Sequence, residues 1–133
     1  MPDAPTGASG SADEPIPHVL CDVAALAAAE AAPAGALWRL AESGRQLDAN
    51  LVRVPPRTRV DTHVESDLDV LLLVVTGHGT LGTTRGPEPL TPGSLTWLPR
   101  ESSRSLTAGQ DGLSYLTVHC RRPGMRIRSR PAT

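Results

Sequence analysis

From about residue 36 onward the chain reads as short apolar segments separated by turn residues, the pattern of an antiparallel sandwich or barrel. Candidate strands run Leu37 to Ala41, Gln46 to Val54, Arg59 to His63, Val70 to Thr76, Thr80 to Thr84, Ser94 to Leu98, Arg104 to Thr107 and Ser114 to Cys120. Between them lie SG, PPR, GHG, RGPEP, PG, PRES and GQDG, each rich in residues that bend a backbone. Nothing after Pro33 has helical periodicity. Upstream, Asp22 stands before VAALAAAEAA with Pro33 behind it, which predicts one short helix capped by Asp22. Residues 1–17 are poor in apolar residues and rich in Pro, Gly, Ser and acid, a composition expected to stay disordered. The predicted organisation is a disordered tail over 1–17, a short helix and linker over 18–35, an all-β sandwich or barrel over 36–121 and a basic tail over 122–133.

Length agrees with one such domain, since 133 residues leave no room for a second independent core. Phe is absent, so Val, Leu and Ala with Trp38, Trp97 and Tyr115 must fill the interior; the two tryptophans read as core or dimer-contact residues. All thirteen basic residues are Arg, which excludes chemistry that needs a lysine, such as a Schiff base or a P-loop. The net charge of −1 gives no bulk attraction to nucleic acid or membrane. Five arginines (Arg121, Arg122, Arg126, Arg128 and Arg130) crowd the last thirteen positions and read as a solvated tail, so a nucleic-acid partner is not expected. The N-terminal stretch lacks a basic n-region and an apolar h-region, and the longest apolar run, Leu68 to Val75, falls far short of the ~20 residues that span a bilayer. A cytoplasmic location is the default expectation, with Cys21 and Cys120 as free thiols.

Gly77, Gly79 and Gly82 match the spacing of a dinucleotide-binding loop, but that loop needs a helix to open inside it, and Pro87 and Pro89 follow instead. The TGHG segment is read as a hairpin turn. Two other spaced motifs carry more information. Arg57, His63, Glu65, Asp69 and Gly77 stand at or within one residue of the spacing glycine, five residues, His-x-His, three or four residues, Glu, six residues, glycine. Gly93, Pro99, Glu101, Arg104 and Ala108 stand at the spacing glycine, five residues, Pro-x-Gly, two residues, His, three residues, Asn. In these spacings the chain resembles the cupin family over roughly residues 36–121.

The resemblance implies a double-stranded β-helix, a jelly-roll barrel, with one short N-terminal helix. In that family three histidines and a glutamate face into the barrel and hold a metal. Here only His63 keeps its identity; Glu65 replaces the second histidine, Asp69 the glutamate and Arg104 the third histidine. A guanidinium has no lone pair to donate, and its fixed charge repels a cation in the same cavity. A metal-free site is therefore favoured, in which Arg104 neutralises the carboxylates with charge-assisted hydrogen bonds. A divalent metal ion remains the alternative, held by His63, Glu65, Asp69 and His119. Strand alternation places Tyr115, Thr117 and His119 on one face. Asp61, two residues before His63, competes with Glu65 as the partner of that histidine. His18 and His78 are expected at the surface.

Three functions fit these residues. The first is a barrel binding a small organic, anionic or carbonyl-bearing ligand through His63, Glu65, Asp69, Arg104, Tyr115 and His119. The second is an isomerase, cyclase or lyase of bacterial specialised metabolism, with His63 as general base, its tautomer fixed by a carboxylate, and Arg104 stabilising an oxyanion. The third is a structural or regulatory scaffold. The resemblance also implies a homodimer.

Overall fold

The computed structural model describes residues 14–29 and 33–122; residues 1–13 of the tail read as disordered and most of the basic tail lie outside the described residues. One helix, α1 (Val23–Ala28), precedes seven strands: β1 (Gly35–Arg39), β2 (Leu47–Val54), β3 (Arg59–Val64), β4 (Val70–Thr83), β5 (Gly86–Leu90), β6 (Leu95–Leu98) and β7 (Ser103–Cys120). The Asp22 side chain accepts from the Ala25 N–H at 3.1 Å, satisfying one of the donors that a helix start leaves open. Ala27 is buried where α1 packs against β4 and β2. No helix among the described residues is long and apolar enough to cross a membrane.

All strand pairs are antiparallel, in the order β1-β2-β7-β4-β5, with β3 added beside β7 and β6 beside β4. The two long strands β4 and β7 run through both halves of the barrel. The second half of β7 pairs with β2 and with Leu71–Gly77 of β4, while its first half pairs with β3 and with Gly79–Gly82 of β4. The barrel interior is an aliphatic core of Val54, Leu72, Val74, Leu81, Leu90, Leu106 and Leu113, closed by Tyr115.

Two expected turns are corners within continuous strands. The register passes from Gly77 opposite Leu113 to Gly79 opposite Ala108, so residues 109–112 bulge opposite His78 alone. Gly77 and Gly112 both take φ of +82°, and a Cβ on Gly77 would lie 2.1 Å from the Gly112 carbonyl oxygen. Glycine at positive φ serves a bulge as well as a hairpin, which is why TGHG and GQDG read locally as turns. RGPEP is not a connection either: β5 occupies it. Its prolines are tolerated because β5 is the edge strand, where a missing N–H costs no ladder bond. Trp97 is 58% exposed and so is not a core residue of this chain; Trp38 is half-buried.

Candidate functional site

The register of β3 on β7 places His63 directly opposite Arg104. Because side chains alternate along a strand, Arg104 and Leu106 on β7 face the interior with Tyr115, Thr117 and His119 on the other half of the same strand. Together with Val70 and Leu72 of β4 and Leu98 of β6, they line a cavity of about 200 Å³. Leu68, Glu65 and Arg122 complete its rim. The structure thus brings His63, Glu65, Arg104, Tyr115 and His119 to one cavity.

Asp69 is not among the lining residues. Its carboxylate accepts from the Arg100 N–H at 2.8 Å and lies 3.7 Å from the Arg100 guanidinium. It ties the start of β4 to the turn between β6 and β7, and the Glu101 N–H donating to the Glu65 carbonyl is a second tie between the same regions. Asp61 also lies outside: its side chain is 94% exposed and pairs with Arg59. Glu65 is the carboxylate that reaches the cavity.

Arg104 is only 6% exposed. Its Nη1 donates to the Pro99 and Ser102 carbonyls and to Ser102 Oγ, at 3.4, 3.3 and 3.1 Å. Among the described residues, Nε and Nη2 have no hydrogen-bond acceptor and no carboxylate forms an ion pair with this guanidinium. Burial draws its pKa below the ordinary value, while the charge of Glu65 acts in the opposite sense. The expectation that Arg104 neutralises the carboxylates by direct hydrogen bonds is therefore corrected. Glu65 instead pairs with Arg122, which also lies 3.7 Å from Asp67. The Asp67 N–H donates to Glu65 Oε2 at 3.0 Å, and this bond, with help from Arg122 and Arg104, holds the Glu65 carboxyl below the usual carboxylate range.

His63 is exposed at the cavity mouth, and its Nδ1 lies 3.3 Å from the Asp61 carbonyl oxygen. A backbone carbonyl, not the expected carboxylate, is the group that can fix its tautomer, with Nδ1 carrying the proton and Nε2 free to accept. His119 Nδ1 is likewise 2.8 Å from the Cys120 carbonyl oxygen. Burial raises the pKa of the Tyr115 hydroxyl. His18 contacts Glu42 at 3.2 Å and is not among the lining residues, and His78 is exposed.

Arg122 was hidden in the sequence because it belongs to an arginine-rich run that opens at Arg121, and a run of like charges reads as solvated surface. What recruits it is three-dimensional: β7 ends beside the loop that carries Glu65 and Asp67. Among the described residues, no group of three or more His, Cys, Asp and Glu side chains converges as a metal site.

Left-handed backbone marks two further positions. Among the described residues, Arg57 and Glu101, at φ of 59° and 70°, are the non-glycine residues with positive φ. They are the positions at which the motif spacings described above call for glycine, so the backbone keeps the glycine conformation after the side chain has changed.

No family model matches the sequence, and no curated protein matches it. Solved cupin structures do superpose on the chain. KdgF from Halomonas sp. does so with a TM-score of 0.55 at 20% identity, over 61% of this chain and 76% of its own. The cupin domain of Cnp3 from Schizosaccharomyces pombe gives 0.57 at 12% identity, over 64% and 59%. A cupin-superfamily sugar phosphate isomerase from Silicibacter pomeroyi gives 0.52 at 23% identity, over 59% and 53%. This chain spans little more than half the length of the last two. Identities this low speak for the fold and leave the chemistry to the site. The β4 and β7 strands that cross both halves, the left-handed backbone at the motif glycine positions and these superpositions agree: the chain has the cupin fold, a jelly-roll β-barrel.

Proposed function

We propose that the barrel binds a small organic anion without a metal, with Arg104 as its anchor. The observation that carries this reading is the state of Arg104: a residue 6% exposed, lining a cavity, with guanidinium Nε and Nη2 lacking acceptors among the described residues. A buried charge without a partner is costly, and an incoming anion supplies both the missing charge and the missing acceptors. A divalent cation does not fit this donor set. Arg104 stands opposite the one motif histidine, Glu65 is engaged by Arg122, and Asp69 is held by Arg100. The two imidazoles left in the cavity, His63 and His119, are too few ligands for a structural or catalytic ion, and a fixed positive charge faces them. The test has two arms. Purified protein is expected to carry less than about one-tenth equivalent of transition metal and to keep its Tm in chelator. Small carboxylates are expected to raise Tm for the wild type and not for Arg104→Met. A stoichiometric metal that restores Tm after chelation would overturn the metal-free half, and an equal carboxylate response in Arg104→Met the anchoring half.

A catalytic role is supported by one further observation, the direct opposition of His63 and Arg104 across β3 and β7. A ligand oxygen on Arg104 would lie near an imidazole able to move a proton beside it, as an isomerase, cyclase or lyase requires. In that case His63→Gln loses turnover while retaining ligand-induced stabilisation.

A further inference from the structure

The anchoring of an anion by Arg104 leaves open what the rest of the ligand is, and the remaining walls bear on it. Resting on that reading, we infer that the ligand is a monoanionic carboxylate on a compact apolar body, about the size of one substituted ring, and that phosphorylated sugars are excluded. Size sets the first limit. A cavity of about 200 Å³ lies below the ~300–1,000 Å³ of drug-sized pockets.

The lining sets the second limit. Leu68, Val70, Leu72, Leu98 and Leu106 present only methyl and methylene groups to the ligand. Several of the polar lining groups are already committed: Glu65 and Arg122 to each other, His63 Nδ1 to the Asp61 carbonyl, and His119 Nδ1 to the Cys120 carbonyl. A sugar placed here would bring several hydroxyls against aliphatic walls, and those out of reach of Thr117, Tyr115 and the Nε2 atoms of His63 and His119 would lack partners, each at the cost of its lost hydration. An apolar ring gains from the same walls.

Charge sets the third limit. Arg104 is the cavity cation without a carboxylate partner among the described residues, whereas Arg122 sits between Glu65 and Asp67. One cation matches one negative charge. A phosphate dianion would set its second charge against the Glu65 carboxylate, which lies near enough to Arg104 for the two to influence each other. The cupin-superfamily sugar phosphate isomerase that superposes on this chain therefore shares its barrel and not its ligand class.

Isothermal titration of the full chain with benzoate, cyclohexanecarboxylate, benzyl alcohol and glucose 6-phosphate tests this, using wild type, Arg104→Met and Leu68→Ser checked for folding by circular dichroism. Both carboxylates are expected to bind the wild type at least about tenfold more tightly than the alcohol or the sugar phosphate. Arg104→Met should remove that advantage, and Leu68→Ser, a half-buried rim position, should weaken cyclohexanecarboxylate by roughly threefold or more. Glucose 6-phosphate binding as tightly as the carboxylates, in an Arg104-dependent way, would overturn the ligand class and leave the anion anchor standing. Carboxylates that fail to bind, bind no better than benzyl alcohol, or bind Arg104→Met equally well would overturn the anchor as well.

Discussion

Replacing Arg104 with methionine should make the protein more stable while abolishing its ligand response. In the free protein Arg104 is 6% exposed as a residue, and among the described residues its guanidinium has the charge of Glu65 nearby and three Nη1 contacts of 3.1–3.4 Å, long for hydrogen bonds to a charged donor. Losing them costs about 1–2 kcal/mol in total, since each is worth at most ~1 kcal/mol at that length. Against this, desolvating an unpaired charge costs several kcal/mol even after relaxation, and a methionine buries its side chain favourably by about 1.5–3 kcal/mol. The cavity mouth, where His63 and Arg122 are exposed, lets solvent reduce the first of these gains. The net expectation is a gain of about 1–2 kcal/mol, or a Tm increase of roughly 5–15 °C for a domain near 100 residues. Urea denaturation with unchanged m-value measures it. A loss of stability greater than about 1 kcal/mol would refute the reasoning, because it would make Arg104 a structural clasp for the turn at Pro99–Ser102 and not a charge kept at the expense of stability for a ligand.

Other expectations follow from the same geometry. Arg57→Gly and Glu101→Gly should each stabilise the fold by about 0.5–1 kcal/mol, since a non-glycine residue in the left-handed region costs ~1–2 kcal/mol and glycine returns part of that as chain entropy; destabilisation by either glycine, measured in urea, would show that the side chain makes a contact worth more than the strain. Tyr115 is the single tyrosine, so its ionisation can be followed by absorbance near 295 nm without interference. Burial raises its folded pKa, so its contribution to stability is complete below pH 10.0 and is lost as pH rises through the folded value; the transition should lie above pH 10.0 in the native protein and be absent in Tyr115→Phe, and a midpoint at 10.0 would contradict the burial. Glu65 has the opposite sign. Its folded pKa is depressed, so the stability it adds is present above the ordinary value of 4.5 and is lost as pH falls through the folded value. Glu65→Gln should flatten the acid limb of the Tm profile, and Arg122→Ala should flatten it only in part because the Asp67 N–H, the larger cause, remains.

Strand alternation, turn residues and motif spacing were enough to determine an all-β barrel with a short capped helix. The resemblance of the spacings to the cupin motifs pointed to His63, Glu65 and Arg104, and alternation added Tyr115 and His119, because a β-strand turns a two-residue period into a shared face whatever surrounds it. Spacing even placed Arg57 and Glu101, since the backbone path, not the side chain, demands positive φ there. Local reading could not distinguish a bulge from a hairpin. Gly77 and Gly112 take the same φ in either, and only the pairing of β4 with β7 decides that the chain continues straight through a corner. Nor could it settle which charges meet. Asp69 sits at the right interval yet is claimed by Arg100, while Glu65 is claimed by Arg122, 57 residues away in sequence. Hydrogen bonds and ion pairs act over a few ångströms in space and are blind to sequence separation, so the partnerships that leave Arg104 without a carboxylate exist only once the barrel has closed.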